Sequence, residues 1–254
     1  MVKFRDSDRK KVKALGKRDV EENRGGCILI SFLCSGVPSI IGVGLYVMLT
    51  YQLRQALLSG QTFASFLTDN AVSILCFSAA FILILFGFLN ELQVGMNRYY
   101  LQNTEWDAEF SDLGFGFRNN YWEIFSAAWL VFLVSFLVSF VIGLVTAPLP
   151  WKFIGSMLQA VVSFYLVYRY RFVLLILADN PDIKKASDAL SLSARLMKGQ
   201  LAALIKFDVS FFLWYMLSGV TLGLASILYV TPYKTAANAE LYLWLKERNV
   251  GVNL

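Results

Sequence analysis

The 254-residue chain contains no histidine and only three cysteines, and charged residues make up only 16% of it. The absence of histidine removes the commonest general base and the commonest metal ligand. The three cysteines, Cys27, Cys34 and Cys76, lie in apolar runs without metal-like spacing, and we interpret them as packing residues. The sequence also lacks a phosphate loop and a paired-carboxylate motif. It therefore predicts no enzyme, no metal site and no cofactor.

Hydrophobic residues, in contrast, make up 57% of the chain, which is more apolar surface than a soluble domain of this length could bury. Several segments hold about 20 apolar residues, the length that crosses a hydrocarbon core of ~30 Å. The first of them, 27–50, is too long for the core of a signal peptide, so we expect it to remain as a span. The sequence therefore predicts an all-α fold, a polytopic transmembrane helical bundle.

Four spans are visible as apolar runs. They are 27–50, 71–89, 124–147 and 153–178. Pro38 lies within the first span, where a kink is tolerated if neighbouring groups satisfy the freed carbonyl. The same span carries a face of small residues that favours close packing of helices. These residues are Ser35, Gly36, Ser39, Gly42 and Gly44. The second helix is expected to continue through NELQVGMNRYYLQ, and Pro148 and Pro150 are expected to turn the chain before the fourth span.

The apolar run 201–230 allows two interpretations, because SGVTLG interrupts it at 218–223. It is either one span, or a hairpin with its tip near Thr221 and a sixth span through Pro232 to Leu245. The hairpin leaves only Arg54 and Lys152 in outside loops and most other basic residues inside, as the positive-inside rule requires. We therefore predict six spans, with five as the alternative. Both termini are then expected to be cytoplasmic in a multi-pass protein of the cell (plasma) membrane.

Residues 1–26 and 27–254 are predicted to form two parts, a basic cytoplasmic N-terminal segment and the transmembrane helical domain. The first part is rich in lysine and arginine and is expected to be partly helical, at the anionic inner leaflet. A solvated tail that only sets the topology is the alternative.

An amphipathic helix is predicted at 181–198, between two apolar runs. Asn180 suits its N-cap, Pro181 its first position and Gly199 its end. Its apolar face is expected in the membrane interface, against lipid or against the bundle. That face consists of Ile183, Ala186, Leu190, Ala194 and Met197. The loop 104–122 mixes acidic with aromatic residues and is expected at the headgroups.

Several short runs in the second half resemble a family of bacterial integral membrane proteins that is catalogued as domain of unknown function nine-seven-five. They are LADNP, ASDALSLSARLMKG, KFDVSFFLW, TLG and TPY, between 177 and 233. QVGMNRYY at 93–100 and LGFGF at 113–117 are similar to the family's earlier blocks. The motif residues are Asp179, Asn180, Pro181, Gly199, Pro232 and Tyr233. The resemblance implies a multi-span bacterial membrane protein, and it brings no activity and no catalytic residues.

Eight ionisable residues fall in or near spans and, with six spans, all lie in the cytoplasmic half. They are Glu91, Arg98, Arg169, Arg171, Lys206, Asp208, Lys234 and Glu240. A bare charge in lipid costs ~2.5–3.5 kcal/mol, so these groups should pair or face water. We predict a cytoplasm-open polar cleft in which the acids balance the bases. Structural ion pairs, a path for a ligand or ion and a docking surface remain open as its role.

These features predict a non-catalytic membrane module, either accessory, scaffold or regulatory, that binds a membrane partner or lipid. The expected partners are membrane lipids, in particular anionic inner-leaflet lipids, and a membrane protein. The alternative is a small transporter or lipid-handling protein that uses the polar cleft. Nucleic acid is not an expected partner, because the basic excess lies beside a span where topology explains it. The sequence does not predict an oligomeric state.

Overall fold

The structure is a computed structural model that describes residues 3–146 and 152–248. Within these two ranges the chain is helical and contains no strand. In chain order the helices are α1 (Asp6–Glu22), α2 (Arg24–Leu58), α3 (Phe63–Asp69), α4 (Ala71–Asn103), α5 (Phe115–Arg118), α6 (Tyr121–Thr146), α7 (Lys152–Arg169), α8 (Val173–Asp179), α9 (Ala186–Met197), α10 (Leu201–Val209), α11 (Phe212–Val220) and α12 (Thr231–Arg248). The all-α prediction is confirmed, whereas the turn predicted at Pro148 and Pro150 lies outside the described residues.

Five helical segments of the described ranges are long and apolar enough to cross a membrane. They are Arg24–Leu58, Ala71–Asn103, Tyr121–Thr146, Phe153–Asp179 and Leu201–Val220. This number agrees with the five-span interpretation, which was the alternative to the predicted six spans. The hairpin of the six-span interpretation does form, with a turn at 221–223 and a returning helix. That helix is not one of the five, because α12 is rich in charged and polar side chains and buries much of its surface in the protein.

Pro38, within α2, and Pro232, near the start of α12, each follow a π-helical turn. The turn Phe32–Gly36 precedes Pro38, and the N–H of Val37 donates to the carbonyl of Phe32, five residues back. The turn Ser226–Val230 precedes Pro232 in the same way. Proline lacks an N–H and crowds the preceding turn, and a wider turn relieves this without ending the helix. The kink expected at Pro38 is therefore accommodated within the backbone of α2.

The buried core lies at one end of the bundle, where α1, α4, α8, α9 and α12 meet. The most extensive contact joins α1 to α12. A Cβ at Gly16 would lie 2.6 Å from the backbone nitrogen of Ala237, so only glycine allows this approach. Val12 and Val20 of α1 are buried in the same core. The N-terminal segment is thus packed on the C-terminal helix and is not a solvated tail.

The loop 104–122 is held against α4 by two glycines at close backbone crossings. A Cβ at Gly95 would lie 2.1 Å from the carbonyl oxygen of Leu113, and one at Gly116 would lie 2.3 Å from that of Glu91. Both glycines belong to the blocks QVGMNRYY and LGFGF. The two blocks therefore form one structural unit, in which the loop packs against the helix.

The outer hairpin, which we define as residues 37–84, packs little against the rest of the protein. Residues Val37–Leu58 and Ala71–Ile84 contain no buried residue, and Phe66 is the buried residue of α3 between them. The predicted close packing through the small-residue face is not made within the described chain at Gly42 and Gly44, where a Cβ would meet nothing within 4 Å. Cys76 is likewise exposed here, whereas Cys27 and Cys34 are buried as packing residues.

The helix predicted at 181–198 is shorter than expected. It begins at Ala186, with Lys185 as the N-cap, and ends at Met197 before Gly199, whose φ of +74° suits glycine. Asn180 instead ends α8, and its side-chain N–H donates to the carbonyl of Ile176. α9 packs on α6, α7 and α8 through a buried face that includes Ala189, Leu192 and Leu196. Of the predicted apolar face, Ala186 and Met197 are buried, whereas Ile183, Leu190 and Ala194 are only partly buried, so the face toward the bundle is rotated from the predicted one.

Candidate functional site

The most connected group of charged side chains lies between α7, α10 and α12, and we call it the Asp208 cluster (Tyr168, Arg171, Asp208, Lys234 and Asn238). The guanidinium of Arg171 donates to both carboxylate oxygens of Asp208, at 2.5 and 3.1 Å, and to the side-chain oxygen of Asn238. The hydroxyl of Tyr168 donates to Asp208 at 2.7 Å. The ammonium of Lys234 lies 3.9 Å from the second carboxylate oxygen.

A break in the fourth span positions Arg171. The chain leaves the helix at Tyr170 and resumes it at Val173, so the side chain of Arg171 projects from a turn. The buried hydroxyl of Ser193 lies at this break, where it accepts from the N–H of Phe172 at 3.3 Å and donates to the carbonyl of Arg169 at 3.0 Å. A broken helix in a membrane protein needs such partners for its freed backbone groups. Ser193 of α9 therefore supports the conformation that places Arg171.

The Asp208 cluster can act as a cross-link between three segments of the chain. The side chains of Arg171 and Asp208 are only 15% and 22% exposed, and Lys234 is 32% exposed. The carboxylate of Asp208 accepts a bidentate arginine and a tyrosine hydroxyl and also faces an ammonium, so its charge is fully compensated. Such bidentate pairs are geometrically specific, and removing one partner leaves an uncompensated charge. The arrangement thus favours structural ion pairing over a free acid or base.

Three of the eight predicted charges, Arg171, Asp208 and Lys234, come together in this cluster, and the other five lie elsewhere. Arg169 donates to the hydroxyl of Tyr165 on the exposed surface of α7. Lys206 is exposed on the opposite side of α10, beside α1. Arg98 donates to a backbone carbonyl at the end of α8. The expectation of a single cleft is therefore corrected, because these residues point in different directions around their helices.

The two remaining acids are buried apart from the Asp208 cluster. Glu91 is fully buried, and neither of its carboxylate oxygens has a hydrogen-bond partner among the described residues. Glu240 lies at the contact of α1 with α12, where it faces Asp19, which is 1% exposed. Burial first, and then the hydrogen bond to Asp19 and its negative charge, raise the pKa of Glu240 to about 7, and the nearby Arg18 opposes this rise. Oδ2 of Asp19 has no hydrogen-bond partner among the described residues.

Asp179, an acid outside the Asp208 cluster, joins the end of α8 to α12. It accepts from the hydroxyl of Tyr242 at 2.8 Å and from the ammonium of Lys246 at 2.5 Å. Lys234, Asn238, Tyr242 and Lys246 recur every four residues and so lie on one face of α12. Lys234 and Asn238 belong to the Asp208 cluster, and Tyr242 and Lys246 contact Asp179. Sequence reasoning missed this polar stripe, although its spacing was the signal that could have revealed it.

The other residues of the family-like motif also have structural contacts. The carbonyl of Pro181 accepts from the side chain of Asn120, which ties the turn after α8 to the start of α6. Pro232 is buried directly after the π-helical turn. The ring of Tyr233 packs 5.1 Å from that of Phe211. These motif residues therefore hold the last helices of the chain together.

Comparison with known proteins gives one match. Residues 151–249 match the model of a family described as protein of unknown function (DUF975). The predicted resemblance is confirmed over these residues, which contain the whole Asp208 cluster and the contact of Asp179 with α12. The blocks at 93–100 and 113–117 lie outside the matched residues. No curated protein and no solved structure matches the chain.

Proposed function

We propose that the protein is a non-catalytic accessory or scaffold module that binds a transmembrane helix of a protein partner. The family that residues 151–249 match is one of unknown function. The outer hairpin is the observation that carries this proposal. Its helical stretches Val37–Leu58 and Ala71–Ile84 contain no buried residue, while the other end of the bundle holds the buried core.

A groove of about 500 Å³ between the two arms of the outer hairpin supports a helix as the occupant. Its wall is mostly apolar, with Gln52, Asn70 and Ser73 among the polar residues and Gly42 among the small ones. Lipid tails are as apolar as leucine, so helices associate in membranes through small residues and side-chain hydrogen bonds rather than through hydrophobicity. Small and polar side chains along an unfilled groove therefore suit a partner helix better than they suit lipid tails.

The interlocked end supports the non-catalytic part of the proposal. The carboxylate of Asp208 is paired with two cations, Arg171 and Lys234, and the sequence contains no histidine. We place the protein in a bacterial cell membrane with this charged end in the cytoplasm, because α1 and most basic residues belong to it. The amphipathic α9 then lies at the cytoplasmic interface. In this proposal the charged end is a rigid platform, and the outer hairpin is the surface that the partner contacts.

The test is native mass spectrometry of the tagged full-length protein after gentle extraction from a bacterial membrane. Gly42→Leu fills the groove, and Gly44→Leu is the matched control. Both glycines lie on α2 with nothing within 4 Å of a Cβ, but only Gly42 is among the residues that line the groove. We expect a stoichiometric protein partner with the unmodified protein and with Gly44→Leu, and its loss with Gly42→Leu.

Two outcomes would contradict the proposal. One is a bound lipid or small molecule without any protein partner, which would favour lipid handling or transport instead. The other is a protein partner that both leucine variants retain, which would place the docking surface outside the groove.

A further inference from the structure

A second cavity, of about 320 Å³, lies where the N-terminal residues cross the beginning of α10. Its lining consists of Lys3, Phe4, Arg5, Asp6, Arg9, Ala202, Ala203 and Lys206. Phe4 fixes one wall, because its N–H donates to the side chain of Gln200 at 2.9 Å and its ring packs edge-on against Trp244 at 4.9 Å. The guanidinium of Arg9 donates to the carbonyl of Lys206 at 3.4 Å. The fold therefore holds Phe4 and Arg9 of the lining in place.

The lining carries four positive charges and one negative charge. The negative charge is Asp6, whose carboxylate lies 3.6 Å from Arg9 and so already has a cation beside it. Lys3, Arg5 and Lys206 are exposed around the cavity, and no other lining residue is acidic. Convergent lysine and arginine side chains are a binding site for phosphate, which they neutralise and contact through hydrogen bonds.

The position of the cavity selects the source of the phosphate. It lies at the first turn of the Leu201–Val220 span, the level at which lipid headgroups meet a spanning helix. Ala202, Lys206 and Val209 are spaced three or four residues apart and so share one face of α10, and Leu213 follows on α11 after the turn at Ser210 and Phe211. Val209 and Leu213 are exposed, at 65% and 78%. Exposed apolar side chains therefore follow the basic cavity along the span, and they can contact an acyl chain attached to the phosphate.

We propose that this cavity binds the headgroup phosphate of an anionic phospholipid, whose acyl chain lies along Val209 and Leu213. The site is distinct from the groove of the outer hairpin, and the proposal does not rest on the binding of a protein partner there. It makes the N-terminal residues 3–9 part of a lipid site, beyond their role in packing α1 on α12.

The test titrates the purified full-length protein, in a neutral detergent, with dioleoyl phosphatidylglycerol and measures binding by native mass spectrometry. Arg5→Gln with Lys206→Gln removes two charges of the cavity. Lys10→Gln with Lys11→Gln removes two exposed charges of α1 that do not line it. Each basic residue near an anionic surface is worth about fivefold in affinity, so the cavity variant, which lacks two, is expected to bind about 25-fold more weakly. The control pair should change the affinity by less than about threefold, because its charges only add long-range attraction.

A second variant tests the cavity without changing charge. Ala202→Trp fills the space from the exposed face of α10 and is expected to lower phosphatidylglycerol binding to the level of the cavity variant. Dioleoyl phosphatidylcholine should bind more weakly to the unmodified protein than phosphatidylglycerol does.

Three outcomes would overturn the proposal. The first is an equal loss of affinity in the cavity and control pairs, since the effect would then be general electrostatics. The second is equal binding of phosphatidylcholine. The third is binding of inorganic phosphate that depends on Arg5 and Lys206 while phosphatidylglycerol does not bind, because the ligand would then be a soluble phosphate.

Discussion

Replacing Asp208 with asparagine is expected to destabilise the protein by about 3 kcal/mol. The change keeps the shape of the side chain but removes the negative charge that Arg171 and Lys234 face. The amide can accept one hydrogen bond from Arg171, and its NH2 group then opposes the second guanidinium nitrogen. Because Arg171 is only 15% exposed, water compensates little of the lost pairing.

The assay is reversible unfolding of the purified protein in mixed micelles, followed by intrinsic tryptophan fluorescence. Asp188→Asn is the matched control, because Asp188 is an exposed aspartate on α9. Its replacement should change the free energy of unfolding by less than about 0.5 kcal/mol. The double variant Arg171→Gln, Asp208→Asn should be less destabilised than the sum of its two single variants, by at least about 1 kcal/mol, since it leaves no unpaired guanidinium.

The reasoning is refuted if Asp208→Asn unfolds within about 1 kcal/mol of the unmodified protein, or if the double variant is strictly additive. A stable Asp208→Asn protein that no longer supported its biological role would favour the ligand or ion path instead. The structural interpretation of the Asp208 cluster would then be wrong.

Two further predictions concern the contact of α1 with α12. The folded-state pKa of Glu240, about 7, lies above its ordinary value of 4.5, so the folded protein holds more protons than the unfolded chain between these values. The contribution of this proton to the free energy of unfolding is fully present below pH 4.5. It is roughly 2 kcal/mol, after allowance for the partial exposure of Glu240, and is lost as the pH rises to 7. Glu240→Gln should remove that part of the pH dependence, measured as unfolding midpoints at pH 5.5 and 8, and an unchanged profile would contradict a shared proton between Glu240 and Asp19. Gly16→Ala should lower the free energy of unfolding by about 2 kcal/mol, because its Cβ would meet the backbone of Ala237. Gly25→Ala is the control and should not lower it, because a Cβ there would have nothing within 4 Å. Equal effects of the two alanines would show that the close approach at Gly16 is unimportant.

The spans were predictable from the sequence because their signal is local. A run of about 20 apolar residues is enough to identify a membrane helix. The returning helix at the end of the chain was harder to assign, since α12 owes its place to burial against α1 rather than to its own hydrophobicity. That contact joins the two ends of the chain, and no local pattern encodes it.

The candidate site was predictable only in part, for a geometric reason. Position along a span gives the depth of a residue, but the direction of its side chain depends on how each helix is rotated. Asp208 and Lys206 are two residues apart and therefore point to different sides of α10. One belongs to the Asp208 cluster and the other borders the basic cavity beside α1. Only the packed structure separates these two environments.

The predicted start of α9 was wrong because Asn180 and Pro181 suit a turn as well as a helix N-terminus. The preceding residue decides between them. Asp179 is held by Tyr242 and Lys246 of α12, more than 60 residues later, and this contact keeps the chain extended at Asn180. Asn180 therefore does lie at a helix end, as the cap signals indicate, but it is the C-terminal end of α8 and not the start of α9.

The packing of α1 on α12 also determines the order in which the protein can be completed during synthesis. α1 is synthesised well before α12, its main partner, so Val12 and Val20 stay without their final contacts until α12 has emerged. Domains generally fold as the chain emerges, from the N-terminus onward. Here the outer hairpin can form early, whereas the charged end closes only after α12 has been made. A chain that stops before α12 would therefore leave α1 without its most extensive contact.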